Sequence, residues 1–391
     1  KIVWGYKGSL GIDRKGNSLS NLWERAMKIA TILGTRPEII KLSPLLRLFP
    51  SYFESILIHT GQHYSPEMDI NFFEELGLQK PNFMLKVGSG THASQTGKMM
   101  IEIEKILLDE SPDVVIVQGD TNSALGGALA AFKLRSKLVH VEAGLRSWDW
   151  DEPEEKNRIL VDHCSDLLFP VTKVSYDNLT NEGISKDKLC LVENTIFDAC
   201  KENIKYAVNS KVMGKLGLTI RGYVLFTMHR SENTDNVLNL KNVIGALNSI
   251  AERVSVVFPI HPRTQNVLVK ENISLSENII RIGPTGYVDF LNLLNNSNFV
   301  ITDSGGVQEE CALLNVPCLI LQDHTPHPTY VQVGKNLLIS NKKEKIVAET
   351  LALVEDPSKL ESMRNVHYDF GKSGSVQIVT EIIKRYGGGF K

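Results

Sequence analysis

From Met27 onward the sequence alternates short, β-rich apolar runs with longer amphipathic stretches, and it does so in two series. The first comprises Lys28–Leu33, Ser55–His59, Val114–Gln118, Leu138–Glu142 and Leu167–Val171. A polar, Lys-rich stretch from Asn181 to Gly214 intervenes. The second comprises Tyr223–Met228, Val256–Ile260, Ile279–Ile282, Phe299–Thr302, Cys318–Leu321 and Leu337–Ile339. Apolar runs of roughly four to eight residues without polar alternation fit strands buried on both faces. Helical stretches between them imply βαβ crossovers and hence parallel sheets. The expected fold is therefore α/β, with two Rossmann-like, doubly wound parallel-sheet domains facing a cleft. Their bounds fall at residues 27–195 and 196–365, with the joint near 194–215. Residues 1–26 read as a mobile N-terminal extension and Gly387-Gly388-Gly389 as a flexible tail.

Composition narrows the function by exclusion. A net charge of −2 gives no electrostatic case for nucleic acid or an anionic membrane surface as partner. No apolar run approaches the ~20 residues of a membrane helix, and the polar start lacks the apolar core of a secretion signal. The five cysteines, Cys164, Cys190, Cys200, Cys311 and Cys318, form no C-x-x-C pair and mostly sit among apolar residues. Free thiols in a reducing compartment are expected, which points to the cytoplasm.

Open parallel sheets bind ligands beyond the carboxyl ends of their strands. Here those ends carry Gly34-Thr35-Arg36-Pro37-Glu38, Gly61-Gln62-His63-Tyr64, Gly119-Asp120-Thr121-Asn122, Glu142-Ala143-Gly144-Leu145-Arg146, His229-Arg230, His261-Pro262-Arg263 and Asp303-Ser304-Gly305-Gly306. The last reads strand, glycine turn, helix. Gly305 and Gly306 let backbone amides approach a pyrophosphate at the positive helix end, Ser304 adds a hydroxyl, and Glu310 stands one turn on, placed to accept ribose hydroxyls. A plain helix cap at Ser304 is the competing explanation. The stretch is neither a Walker loop nor a G-x-G-x-x-G fingerprint, so ATP hydrolysis and NAD binding lose support. Near the first strand, Pro37 and Glu38 suit the start of a helix. Arg36 does not, being a cation beside a positive helix end. An anionic ligand resolves that conflict, with Lys41 one turn further in.

Asp120, Glu142 and Glu154 form an acidic set. The first two close buried runs, where an unpaired carboxylate is costly; Glu154 also suits an ordinary first turn. Converging carboxylates are expected to have raised pKa values and to serve as acid and base. Among ten histidines there is no H-E-x-x-H or H-x-H spacing, so no metal site is expected, and no Gly-x-Ser-x-Gly supports a serine hydrolase. His140 reads as a satisfied core residue. His229 reads as a phosphate or leaving-group contact.

Taken in order from about Met27 to Asn341, these motifs, with Pro153-Glu154-Glu155, Asn157-Arg158 and Asn233, resemble the non-hydrolysing UDP-N-acetylglucosamine 2-epimerases. The resemblance implies a GT-B-like homodimer whose C-terminal helix, about 366–386, crosses back to the first domain. It implies a UDP-sugar as substrate and neither cofactor nor metal. UDP is eliminated from UDP-GlcNAc to leave a 2-acetamidoglucal, and re-addition gives UDP-ManNAc. Asp120, Glu142, Glu154 and His229 would be the catalytic set. Arg36, Lys41, Thr285, Phe290, Ser304, Gly305, Gly306, Glu310 and His327 would bind substrate, Phe290 on the uracil side.

The chain departs from the family pattern at Gln322-Asp323-His324-Thr325-Pro326-His327-Pro328-Thr329, where His327 stands in for an arginine near the diphosphate, and at Glu193, where a glycine is usual. A histidine there is expected to titrate near neutrality. A 2-epimerase for a diacetamido uronate sugar, a GT-B glycosyltransferase and a non-catalytic nucleotide-sugar sensor are the competing readings.

Overall fold

Two six-stranded parallel sheets organise the protein, whose computed structural model describes residues 27–62 and 66–387. The extension 1–26, His63 and Tyr64, and Gly388-Gly389 lie outside the described residues. The first sheet contains β1 (Lys28–Leu33), β2 (Glu54–His59), β3 (Phe83–Met84), β4 (Val114–Gln118), β5 (Lys137–Ala143) and β6 (Leu167–Pro170). The second contains β7 (Tyr223–Thr227), β8 (Ser255–Pro259), β9 (Ile279–Ile282), β10 (Phe299–Thr302), β11 (Cys318–Ile320) and β12 (Asn336–Leu338). Their orders are β3-β2-β1-β4-β5-β6 and β12-β11-β10-β7-β8-β9. Counted from each sheet's own first strand, both are the 3-2-1-4-5-6 order of a dinucleotide-type doubly wound fold.

The central strands are apolar because helices cover both of their faces. Every residue of β1, β4, β10 and β11 is buried. Separate apolar clusters lie on the two faces of each sheet, around Ile29 and Ile116 or Ile32 and Val117 in the first, and around Val224 and Phe258 or Leu225 and Val257 in the second. The strand β3 was not announced by any apolar run. Two residues are too few to set a pattern, and they pair only with Ile58 and His59 of β2.

Helix packing ties the halves together. The helix Thr195–Ala207 packs on Arg36–Leu48 of the first half and on Tyr287–Asn296 and Gly305–Leu314 of the second. The terminal helix Gly374–Tyr386 returns to the first half, burying Ile378, Val379 and Ile382 in the core around Ile39 and Leu42. Polar contacts also span the halves, among them Arg230 Nη1 to Glu152 Oε1 at 2.7 Å and the Val288 amide to Glu75 Oε1 at 2.8 Å. Among the described residues no helix is long and apolar enough to cross a membrane.

Candidate active site

The topological switch points lie between β1 and β4 and between β7 and β10, so their strand ends face each other across the gap. The end of β1 is packed by close backbone approach. A Cβ on Gly34 would lie 1.9 Å from Thr60 Oγ1 and 2.2 Å from Ser123 Oγ. Glu38 then closes the turn, accepting from the amides of Gly34 (2.9 Å) and Thr35 (2.8 Å) and from the Thr121 hydroxyl (2.7 Å). Burial raises its pKa to about 7 against the pull of those hydrogen bonds. Arg36 is left to face the gap, its guanidinium 5.3 Å from the Phe72 ring centroid.

A cavity of about 200 Å³ opens there. Its wall contains Arg36, Lys41, Thr285, Phe290, Ser304, Gly306 and Glu310, seven residues that the sequence marked for binding. They come from both halves. Glu310 is buried, accepts from the Tyr287 hydroxyl at 2.8 Å, and has a pKa pushed by burial up to about 7. Gly305 lies between Ser304 and Gly306 in the chain and is not part of that wall. A Cβ there would come within 2.9 Å of His327 Nε2.

Glu142 occupies a bulge in β5, where the register with β6 slips between Val141 and Ala143. Its φ is +68°, a left-handed conformation that a glutamate adopts only at a cost. The bulge turns the carboxylate into the gap, where Lys41 Nζ donates to both oxygens at 2.6 and 2.8 Å. Gln118 and Asn194 donate to it as well. Asn194 also donates to Glu309 at 2.7 Å, and Lys41 lies 3.8 Å from the other Glu309 oxygen. Burial costs the Lys41 cation, but Glu142 and Glu309 outweigh that and hold it protonated. One lysine thus reaches the acid of the first half, the helix behind the Ser304 turn and the cavity wall.

Asp120 lies beside this network, with Arg158 Nη2 at 2.8 Å. Burial pushes its pKa up, yet Arg158, Lys41 and Arg230 outweigh burial and hold it below the usual carboxylate range. The expectation of raised pKa values in the acidic set is therefore reversed at Asp120, because the acids are interleaved with cations. Raised carboxyls occur elsewhere, at Glu38 in the first half and at Glu309 and Glu310 in the second. Buried Glu309, despite Lys41, rises to about 8.

Glu154 makes no hydrogen bond or ion pair among the described residues. Its neighbours Glu152 and Glu155 take Arg158 instead, at 3.5 and 2.6 Å. His229 follows β7 half-exposed, its amide donating to Asp303 at 3.2 Å and its Nδ1 3.3 Å from the same carboxylate. His140 is satisfied in the core by Asp162 (2.7 Å) and the Gly119 carbonyl (2.9 Å). His327 overturns its sequence reading. It is buried, and burial together with Lys41, Arg158 and Arg230 pushes its pKa well below that of a free imidazole. It is neutral at neutral pH rather than a titrating cation.

Two sheets of the same doubly wound order, with a cationic, amide-rich cavity between them, define a GT-B-like protein. A family model described as UDP-N-acetylglucosamine 2-epimerase matches residues 50–384. The UDP-N-acetylglucosamine 2-epimerase of Methanocaldococcus jannaschii is 46% identical over 367 residues, 91% of this chain and 99% of that protein. The crystal structure of that archaeal enzyme in complex with UDP-GlcNAc and UDP superposes with a TM-score of 0.85, covering 92% of this chain and 99% of the other. A UDP-2,3-diacetamido-2,3-dideoxy-D-glucuronate 2-epimerase of Pseudomonas aeruginosa is 42% identical over 325 residues, 82% of this chain and 90% of that protein. The chain belongs to the UDP-N-acetylglucosamine 2-epimerase family, which is a family of isomerases.

Sequence reasoning passed over Gln118, Asn194, Glu152 and Glu309. Glu309 was visible only as the neighbour of Glu310, and nothing local marks the others.

Proposed function

We propose that the chain interconverts UDP-GlcNAc and UDP-ManNAc by eliminating UDP and adding it back. The observation that carries this reading is Lys41, which binds the Glu142 carboxylate while lining the cavity with Arg36 and Ser304. The diphosphate fits between Arg36, Lys41 and the Ser304–Gly306 turn. Glu310 is placed for the ribose hydroxyls, and Thr285 and Phe290 for the uracil. The proton on C2 of the sugar is not next to a carbonyl, so it leaves only as the C1–O bond to UDP breaks. A carboxylate takes that proton, the C1=C2 double bond forms, and UDP departs with the C1–O electron pair. Preorganised cations and amides stabilise the growing diphosphate charge. On return, a proton reaches the opposite face of C2 and the UDP oxygen attacks C1. Asp120 and Glu142, each held by a cation, are the carboxylates for these transfers, with His229 beside the leaving group.

The two halves act as domains 27–195 and 196–365, in a cytoplasmic homodimer that supplies polysaccharide assembly. Exposed Ile101, Leu108 and Phe132 on the mutually packed helices His92–Glu110 and Asn122–Phe132 support the dimer, which sedimentation tests.

The activity is tested by incubation with UDP-GlcNAc in heavy water, with chelator and without NAD. Deuterium at C2 of both epimers is expected. Release of UDP and free sugar alone would overturn the reading. Because the Pseudomonas relative acts on a diacetamido uronate, that UDP-sugar is run in parallel, and faster exchange there would reassign the substrate.

A further inference from the structure

We propose that Glu142, Glu309 and His327 together form a binding site for a borderline transition-metal cation, Zn²⁺ being the best fit. Each offers one ligand atom, all three residues are buried, and these atoms lie within 4.8 Å of one another. His327 Nδ1 is 3.5 Å from Glu309 Oε1. That is close to the ~3.4 Å edge of a tetrahedron built on zinc bonds of about 2.1 Å. Glu309 supplies a second sign. Its Oε2 is fully buried and accepts no hydrogen bond, with the Lys41 ammonium 3.8 Å away, beyond hydrogen-bond reach.

The surrounding shell suits a metal. Asn194 orients Glu142 and Glu309 together, at 3.0 and 2.7 Å, and Gln118 holds the second Glu142 oxygen. Such outer partners set the direction of ligand lone pairs. One imidazole with two carboxylates matches Zn²⁺ better than Mg²⁺, which prefers near-octahedral oxygen and retains its waters. Lys41 is the cation these carboxylates hold without metal. A divalent ion brings two charges in place of one, and the ammonium has somewhere to go, since Lys41 already lines the 200 Å³ cavity. On the epimerase reading, occupancy removes both the Glu142 carboxylate and the lysine from catalysis, so the metal inhibits.

The test is zinc titration of the whole chain by competition with a chromogenic chelator, paired with zinc-edge X-ray absorption. One Zn²⁺ per chain is expected, with imidazole and oxygen neighbours, unaffected by excess Mg²⁺. His327→Arg, which replaces a lone pair with a fixed charge, and Glu309→Gln are each expected to weaken binding more than tenfold. Thermal melting shows which variants fold, and either one alone decides the matter. Absence of binding, sulfur ligation through the cysteines, or affinity unchanged in a folded variant would overturn the site. Binding is read without reference to turnover. Zinc bound in a protein that shows no C2 exchange when zinc-free would therefore sink the epimerase reading and leave the metal site standing.

Discussion

The two halves share a strand order and use their strand ends differently. In the first, carboxylates are set against cations: Glu142 against Lys41, Asp120 against Arg158. In the second, a glycine turn offers amides, while Glu309 and Glu310 are buried with pKa values raised to about 8 and about 7. A shared topology supplies positions. Burial raises Glu309 and Glu310, whereas at Asp120 the combined pull of Arg158, Lys41 and Arg230 outweighs it. In the proposed reaction the first half moves protons and the second holds the nucleotide, with Lys41 joining the tasks.

Removing the acid that Lys41 serves tests the proton-moving half most severely. Glu142→Gln is expected to cut kcat roughly a thousandfold and abolish C2 deuterium exchange, while calorimetry finds UDP affinity within severalfold of normal. Equal loss of both would erase the division of labour.

The nucleotide-holding half predicts a stability effect of opposite sense. The folded-state pKa of Glu310, about 7, exceeds the ordinary 4.5, so the fold favours its protonated form. Its contribution is present in full below pH 4.5 and is lost as pH rises to about 7. Glu310→Gln stays neutral throughout. It is expected to gain up to ~3 kcal/mol over the parent at pH 8 and little at pH 4.5, read from thermal melts at both values.

Gly306→Ala probes the amide cradle alone. A Cβ there meets nothing within 4 Å, so the unliganded fold should melt as before. The methyl enters the cavity instead, and UDP is expected to bind about tenfold more weakly, a cost of ~1.4 kcal/mol.

The smallest effect falls on the link between the halves. Glu152→Gln weakens the 2.7 Å pair with Arg230 and is expected to lower kcat/KM a few-fold. The difference should shrink as salt is raised.

The fold was legible because buried parallel strands announce themselves as apolar runs; only the two-residue β3 escaped. Seven residues marked for binding meet at one cavity for a related reason, since switch-point topology brings strand ends together before any contact is known. The rest depended on partners distant in sequence. Asn194 joins Glu142 and Glu309 across 52 and 115 residues, and no local pattern encodes that. His327 was misjudged because the imidazole was given its solution behaviour, whereas folding buries it and adds the repulsion of Lys41, Arg158 and Arg230.

The kinked main chain at Glu142 carries a lesson for anyone breeding this protein for heat resistance. Glycine at that position would relax a conformation worth about 1 kcal/mol, but it would strand the buried Lys41 ammonium, a loss of about 3–5 kcal/mol, so a screen that scores only survival on heating retains the acid. Endurance and turnover therefore favour the same side chain there.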